Sequence, residues 1–286
     1  MSSMKNRIYQ LMPSATDWTK QFSMSYIITT DDGQLIVIDG GWDNDAETLL
    51  FYLKKISGRE CPHIAAWFLS HVHDDHIQAF IEIISHRKDK INIGKVYFNF
   101  PSVQNIEMFE LSGAALIKNF YSLLPQFADK ATIVSINECY IVGNAKFDVL
   151  LTPDTEITDN FINNSSVVIR MTLGGKTVIF LGDLGAEGGR RLLKIWGDKL
   201  KSDVCQMAHH GQAGVDIDVY RAILPEICLW PTPDWLWNND RYGKGFDTDV
   251  FQTVTTRRWI DQLGCTNKNY IMKDGTAEIE LPETEL

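Results

Sequence analysis

Short apolar runs alternate with amphipathic stretches along the chain. The first clear β pattern is the pair of runs at residues 22–30 and 34–38, which the Asp32-Gly33 step joins as a hairpin. Residues 45–56 then place apolar side chains at helical spacing, and the apolar run 65–69 predicts a buried strand. The chain therefore begins as an α/β protein does, with strands and helices in alternation.

The same alternation continues to the end of the chain. Further strands are predicted at residues 91–100, 131–152 in three pieces, 166–173, 176–181, 203–207, 227–230, 270–272 and 277–281. Further helices are predicted at residues 77–85, 105–128, 184–196, 217–224 and 250–263. The segment 231–237 is predicted to be irregular, and 234–249 to form a mobile loop. Two halves of this kind predict two mixed β-sheets packed together, with helices on the outer faces.

The composition is that of a soluble globular protein, with 286 residues of which 44% are hydrophobic and 22% charged. We treat residues 1–286 as a single domain. No apolar run is long enough for a membrane span, and the basic start of the chain lacks the apolar segment of a secretory signal. Five scattered cysteines without CxxC spacing favour free thiols in a reducing compartment. These features predict a cytoplasmic protein with no membrane partner; they do not determine the oligomeric state.

The formal net charge of −10 disfavours a broad nucleic-acid surface, which needs clustered lysine and arginine. We therefore expect a small-molecule or ester substrate rather than nucleic acid.

Three histidines and two aspartates are concentrated in the segment His71-Val72-His73-Asp74-Asp75-His76, which closely follows the predicted strand at 65–69. One face of a helix could not present all of these side chains together, so we expect a loop wrapped around a metal ion. Imidazole and carboxylate ligands favour zinc, with manganese or iron as second choices. His63 and His86 are interpreted as surface residues.

Other polar residues also follow predicted strands, namely Asp39, Asp183 and the pair His209-His210. Strand ends are rigid platforms, so these side chains are expected to converge with the 71–76 cluster. Asp183 could bridge two cations, and it could also cap the helix that follows it.

Four segments resemble the metallo-β-lactamase superfamily, in the family's order and over nearly the whole chain: Asp39-Gly40-Gly41, the 71–76 cluster, Gly182-Asp183 and His209-His210-Gly211. The resemblance implies an α/β fold of the four-layer αββα sandwich type. The stretch 163–168, taken with the last two segments, is further similar to the branch that includes the hydrolase domain of competence-type DNA-uptake proteins and bacterial phosphorylcholine esterases.

The resemblance also implies a role for each matching residue. The first metal would be held by His71 and His73, the second by Asp75, His76 and His210, and Asp183 would bridge the two. Asp75 would in addition orient the nucleophile, His209 would lie near the substrate's anionic group, and Asp39 would orient a metal-bound imidazole.

One departure from the family pattern concerns the first metal. Most members supply a third histidine from a segment between the cluster and the bridging aspartate, and here only His86 lies between His76 and His209. The first site is therefore expected to be poor in histidine and to be completed by water, Asn163 or Ser166.

Asn163 and Ser166 are also candidate substrate contacts, although Asn163-Asn164 could simply form a turn. Trp235 and Trp237 belong to an aromatic stretch that could hold a quaternary ammonium group by cation–π attraction; packing as core is the interpretation we favour.

The expected activity is hydrolysis of a phosphoester or related ester by a metal-bound hydroxide, with one or two zinc ions. The alternatives are a nuclease, a lactam or thioester hydrolase, and a non-catalytic module that binds a partner.

Overall fold

The computed structural model describes residues 5–265 and 268–281. Met1–Met4, which begin the segment considered above for a secretory signal, lie outside the described residues. The strands are β1 (Arg7–Gln10), β2 (Ser25–Thr29), β3 (Leu35–Asp39), β4 (His63–Phe68), β5 (Asn92–Phe98), β6 (Ala131–Ile133), β7 (Cys139–Val142), β8 (Ala145–Leu151), β9 (Val168–Leu173), β10 (Lys176–Phe180), β11 (Val204–Gln206), β12 (Ile227–Trp230), β13 (Lys268–Ile271) and β14 (Ala277–Glu280). The α-helices of these residues are α1 (Asp45–Ser57), α2 (Asp74–His86), α3 (Val103–Phe109), α4 (Ala114–Leu123), α5 (Phe161–Asn164), α6 (Ala186–Trp196), α7 (Ile217–Ile223), α8 (Asp234–Trp237) and α9 (Thr253–Gln262).

The strands form two seven-stranded sheets, with the orders β14-β1-β2-β3-β4-β5-β6 and β13-β12-β11-β10-β9-β8-β7. In the first sheet β3 to β6 run parallel and the remaining pairs are antiparallel. The second sheet has the same composition, with β10 to β13 parallel. The prediction of two mixed sheets is confirmed.

Three apolar clusters hold the layers together. Between the sheets, the rings of Phe68 and Phe147 stack with centroids 4.5 Å apart. On the outer face of the first sheet, Trp67 packs against Phe80 of α2, and on the outer face of the second, Trp230 joins residues of α6, α7 and α9. Each fully buried side chain of this size stabilises the fold by about 1.5–3 kcal/mol. The result is the expected four-layer αββα sandwich.

The predicted helix at 105–128 is wrong in one respect, because the chain leaves the helix at Glu110. α3 ends at Phe109, a single 3₁₀ turn covers Leu111–Gly113, and α4 starts at Ala114. Close packing accompanies the break, since a Cβ at Gly113 would meet Cδ1 of Ile162 in α5. The segment predicted to be irregular at 231–237 also contains the short helix α8.

The carboxyl ends of the parallel strands meet at one edge of the sandwich, as in other α/β folds. The chain passes from β3 into Asp39, from β4 into His71, and from β10 into Asp183. This edge carries the candidate site. Among the described residues, no helix is long and apolar enough to cross a membrane.

Candidate metal centre

The 71–76 cluster is divided between a loop and a helix, which corrects the expectation of a loop alone. His71 and His73 follow β4 in a loop, His73 has extended backbone, and α2 begins at Asp74. Asp75 and His76 thus lie in the first helical turn, where the helix dipole favours an acidic side chain. The two backbone geometries direct the two halves of the cluster to different points.

Four buried residues converge on one of these points: Asp75, His76, Asp183 and His210. Their ligand atoms all lie within 4.8 Å of one another. Nε2 of His210 lies 2.8 Å from Oδ2 of Asp75, and Nε2 of His76 lies 3.2 Å from Oδ1 of Asp183. Each of the four residues is at most 6% exposed. We call this group the second cluster.

The second cluster fits a metal ion because its inner atoms lack hydrogen-bond partners. These atoms are Oδ2 of Asp75, Nε2 of His76, Oδ1 of Asp183 and Nε2 of His210. None makes a well-aligned hydrogen bond with a described residue, although Nε2 of His210 and Oδ2 of Asp75 lie 2.8 Å apart. Buried polar atoms are normally satisfied, since each unsatisfied one costs about 1–3 kcal/mol. Two imidazoles and two carboxylates facing one point are a donor set that suits zinc, iron or manganese.

The first cluster consists of His71, His73 and Asp183. Nε2 of His71 lies 3.1 Å from Nδ1 of His73 and 4.0 Å from Oδ2 of Asp183. Asp183 therefore faces both clusters: its Oδ2 lies between His71 and His210, at 3.4 Å from Nε2 of His210, and its Oδ1 faces His76. The first cluster has fewer donors than the second, in line with the missing third histidine.

The electrostatics of the metal-free site follow from burial opposed by neighbouring charge. Burial lowers the pKa of His71 well below its ordinary value, and the nearby His76 lowers it further. Burial would also lower the pKa of His210, but Asp183 and Asp75 outweigh it and raise that pKa to about 10. Conversely, burial would raise the pKa of Asp183, yet His76, His210 and His209 hold it well below its ordinary range. Without metal, protons on His76 and His210 balance the carboxylates.

Asp39 lies outside both clusters and contacts the second cluster through His76. Its Oδ1 accepts a hydrogen bond from the backbone N–H of Ser70 at 2.7 Å. Its Oδ2 accepts one from the hydroxyl of Ser70 at 2.7 Å and lies 2.8 Å from Nδ1 of His76. A carboxylate on the far nitrogen fixes the imidazole tautomer, so that Nε2 of His76 presents its lone pair to a metal.

Asp183 is fixed by its neighbours in a tight turn. Its backbone N–H donates to the hydroxyl of Ser166 at 3.1 Å. Gly182 has a φ of +58°, and a Cβ at this residue would lie 2.9 Å from Oγ of Ser166 and 3.2 Å from Cβ of Ser70. The side-chain hydroxyl of Ser166 thus contacts the backbone of Asp183.

The structure distinguishes the two adjacent histidines. Both have left-handed backbone, with φ of 51° at His209 and 56° at His210, a conformation that costs energy in non-glycine residues. Nδ1 of His210 lies 3.0 Å from the carbonyl of Pro231, which directs Nε2 into the second cluster. Nδ1 of His209 lies 3.0 Å from the carbonyl of Ala213, and its Nε2 is 3.9 Å from Asp183. His210 is therefore the candidate ligand, and His209 lies at the rim.

Comparisons with known proteins agree with this geometry. A sequence model described as "Metallo-beta-lactamase superfamily" matches residues 18–102, which include the 71–76 cluster. Residues 18–102 thus carry the sequence signature of the metallo-β-lactamase superfamily. The resemblance recognised in the sequence is thereby confirmed.

Similar solved structures share the superfamily fold at low sequence identity. One is the metallo-β-lactamase fold protein YhfI from Bacillus subtilis, at 13% identity and a TM-score of 0.54 over 96% of this chain and 99% of the other. Another is CmlA, a diiron β-hydroxylase from Streptomyces venezuelae, at 10% identity and a TM-score of 0.55 over 97% of this chain and 54% of the other. At such identities the likeness shows the fold alone.

A curated relative is the ComE operon protein 3 of Bacillus subtilis strain 168, which is 24% identical over 160 residues. The alignment covers 56% of this chain and only 18% of the relative. It supports the similarity to the competence-type branch. The similarity to phosphorylcholine esterases stays a prediction.

The residues predicted to contact substrate are placed differently from one another. Asn163 belongs to α5 rather than to a simple turn; its Nδ2 lies 3.4 Å from Nε2 of His209, and its buried Oδ1 has no partner among the described residues. Trp235 contacts Phe22, whose ring lies 5.5 Å from that of His210. Trp237 packs at 89° against buried Trp230, as expected of core. Their roles toward a substrate stay predictions.

Sequence reasoning missed Glu110. Its Oε1 lies 3.5 Å from Nε2 of His73, and its Oε2 accepts a hydrogen bond from the backbone N–H of Ile162 at 2.9 Å. The only signal in the sequence was a single acidic residue between Phe109 and Leu111 in a stretch that reads as continuous helix.

Proposed function

We propose that this protein is a metal-dependent hydrolase that acts on a phosphoester or related ester of small size, with zinc as the expected metal and iron or manganese as alternatives. The observation that carries the proposal is the set of four buried nitrogen and oxygen atoms in the second cluster that could bind a metal and lack hydrogen bonds. The adjoining first cluster shares Asp183 with it, which supports a two-metal arrangement. When bound, such a metal pair supplies a hydrolytic nucleophile near neutral pH and offsets the charge that develops on the ester oxygen.

The protein's own residues would position these groups. Asp39 and the carbonyl of Pro231 hold the tautomers of His76 and His210, so both rings keep a free Nε2 lone pair. Asp183 is held by its backbone bond to Ser166. Asp75, buried beside the ring of His210, would orient the attacking group as well as hold metal.

His209 and Asn163 would contact the substrate at the rim. The side chain of His209 is 20% exposed, and burial lowers its pKa, so the ring is neutral at pH 7. Because Nδ1 donates to Ala213, Nε2 is the acceptor that faces the site. His209 could therefore take a proton from, or hydrogen-bond to, an anionic group that carries one.

The aromatic residues near the rim favour an apolar contact over a quaternary ammonium cage. The guanidinium of Arg241 already lies over Trp18, Tyr242 and Phe251, at 4.6–5.3 Å from their ring centroids. A cation within the chain thus occupies those faces, and Trp235 packs edge-to-face with the rings of Phe22, Trp18 and Phe251.

Elemental analysis and an ester panel test the proposal. The purified protein, stripped and reloaded with zinc, manganese or iron, is offered a phosphodiester, a phosphomonoester, a carboxylic ester, a thioester and a β-lactam. We expect metal-dependent turnover of a phosphoester that is lost in His73→Ala and Asp183→Ala. His86→Ala is the control, because His86 is exposed and its ion pair within residues 5–265 and 268–281 is with Glu82. Unchanged turnover in both site variants, or a metal-replete wild type that hydrolyses nothing, contradicts the proposal.

A further inference from the structure

The histidines of the two clusters are each held through the nitrogen that faces away from the metal position. His71 uses the hydroxyl of Ser70, at 3.0 Å from its Nδ1, and His210 uses the carbonyl of Pro231. His76 uses the carboxylate of Asp39. Such partners fix the ring and its tautomer, and their loss commonly weakens metal binding by about 10–100-fold.

His73 is oriented the other way round. Its Nδ1 is the atom that lies 3.1 Å from Nε2 of His71, so Nδ1 faces the first cluster and Nε2 points away. The group that meets this outward nitrogen is the carboxylate of Glu110, at 3.5 Å. The arrangement repeats the pair formed by Asp39 and His76, with the two ring nitrogens exchanged.

The carboxylate of Glu110 is anchored independently of His73. Its second oxygen accepts a hydrogen bond from the N–H of Ile162 at the start of α5, and the backbone N–H of Glu110 donates to Ile106 at the end of α3. These two bonds hold the carboxylate of Glu110 in place opposite His73.

We propose that Glu110 is a positioning residue for the first metal: it accepts the Nε2 proton of His73 and so presents the Nδ1 lone pair to the ion. This rests on the metal centre of the proposed function. A stronger, oriented His73 would offset the absence of the third histidine that the family supplies. The separation of 3.5 Å exceeds that of a full hydrogen bond, so a small movement of the 25%-exposed carboxylate is required.

A purely structural role is the competing explanation, because Glu110 also caps the start of α5. Glu110→Gln separates the two: an amide oxygen still accepts from Ile162, but the negative charge opposite His73 is removed. Glu107→Gln is the matched control. It removes the same charge from a residue three positions earlier, within α3, and Glu107 is paired with Lys118, 2.5 Å away.

Two readouts other than activity are needed. Zinc affinity, measured ion by ion against a chromophoric chelator, is expected to fall about tenfold or more for one ion in Glu110→Gln and to stay unchanged for the other. Nitrogen-15 spectra of the zinc-loaded protein are expected to show a proton on Nε2 of His73 that shifts upfield in Glu110→Gln. The Glu107→Gln protein is expected to match the wild type in both.

Two results would overturn the proposal. Wild-type zinc affinities with unchanged His73 signals in Glu110→Gln would leave Glu110 as an anchor of α5 only. Loss of one ion with no proton on Nε2 of His73 in the wild type would mean that this nitrogen, rather than Nδ1, binds metal. A wild type that binds no metal would refute the proposed function itself, so the two failures are distinguishable.

Discussion

Replacing Asp39 with asparagine tests whether the second cluster depends on the carboxylate beneath it. The change is nearly isosteric, and asparagine tolerates the left-handed backbone that Asp39 adopts with φ of 55°. The bond from Ser70 N–H to Oδ1 can be kept. The oxygen that faces Nδ1 of His76 at 2.8 Å becomes an amide N–H₂, which cannot accept a proton from the ring.

The expected result is a change of tautomer in His76. With a donor opposite Nδ1, the ring keeps its proton on Nε2, the nitrogen that faces Asp183 and the metal position. We expect the affinity of the second cluster to fall about 10–100-fold, which corresponds to about 1.4–2.7 kcal/mol. The metal-free protein should also lose about 1–3 kcal/mol of unfolding free energy, because a charge-assisted hydrogen bond is removed from a fully buried residue.

Chelator competition gives the affinities, and urea unfolding gives the stability of the metal-free protein. Asp129→Asn is the control, since Asp129 is exposed and lies far along the chain from the site. A second-cluster affinity equal to that of the wild type in Asp39→Asn would refute the reasoning, whatever the change in stability.

Two further predictions concern the metal-free protein. Because the pKa of His210 is raised to about 10, the folded state holds a proton that an unfolded histidine releases near pH 6.5. This proton stabilises the folded state by about 5 kcal/mol at most. The stabilisation is full below pH 6.5 and is lost as the pH rises through 10. The melting temperature followed by circular dichroism should fall over this range, and an unchanged value would count against the assignment. Gly182→Ala should destabilise the fold by about 1–3 kcal/mol in urea titrations, more than Gly264→Ala, which has the same sign of φ but open space around it; equal losses would show that crowding at Ser166 is unimportant.

Much of the site could be predicted because the ends of strands are marked in the sequence by an apolar run followed by a polar residue. Asp39 follows an apolar run directly, and His71 and Asp183 each follow one after a single intervening residue; parallel strands bring these ends to one edge. The alternation of apolar runs and amphipathic stretches likewise predicted both sheets, although not the exact bounds of every helix.

The rest depends on contacts that no local pattern encodes. Glu110 meets His73 only because α3 ends at Phe109 and the following turn packs on α5, some 50 residues further along the chain. The choice of His210 over His209 depends on two consecutive left-handed residues and on the carbonyls of Pro231 and Ala213 that hold the two rings. Such positions are set by tertiary packing, which overrides the local helical preference of the 105–128 stretch.

The second cluster also explains why a metal would matter for folding as well as for chemistry. Two carboxylates and two imidazoles are buried with their inner atoms unpaired, so the metal-free state must hold protons on His76 and His210 to limit repulsion between Asp75 and Asp183. A bound cation replaces those protons and satisfies the same atoms, and its binding free energy therefore adds to the stability of the fold. The first cluster has fewer metal-binding atoms and includes the partly exposed His73. Its metal affinity should therefore be lower and should depend more on the contact between His73 and Glu110. From this difference in burial and in the number of metal-binding atoms, we expect the second cluster to bind metal before the first.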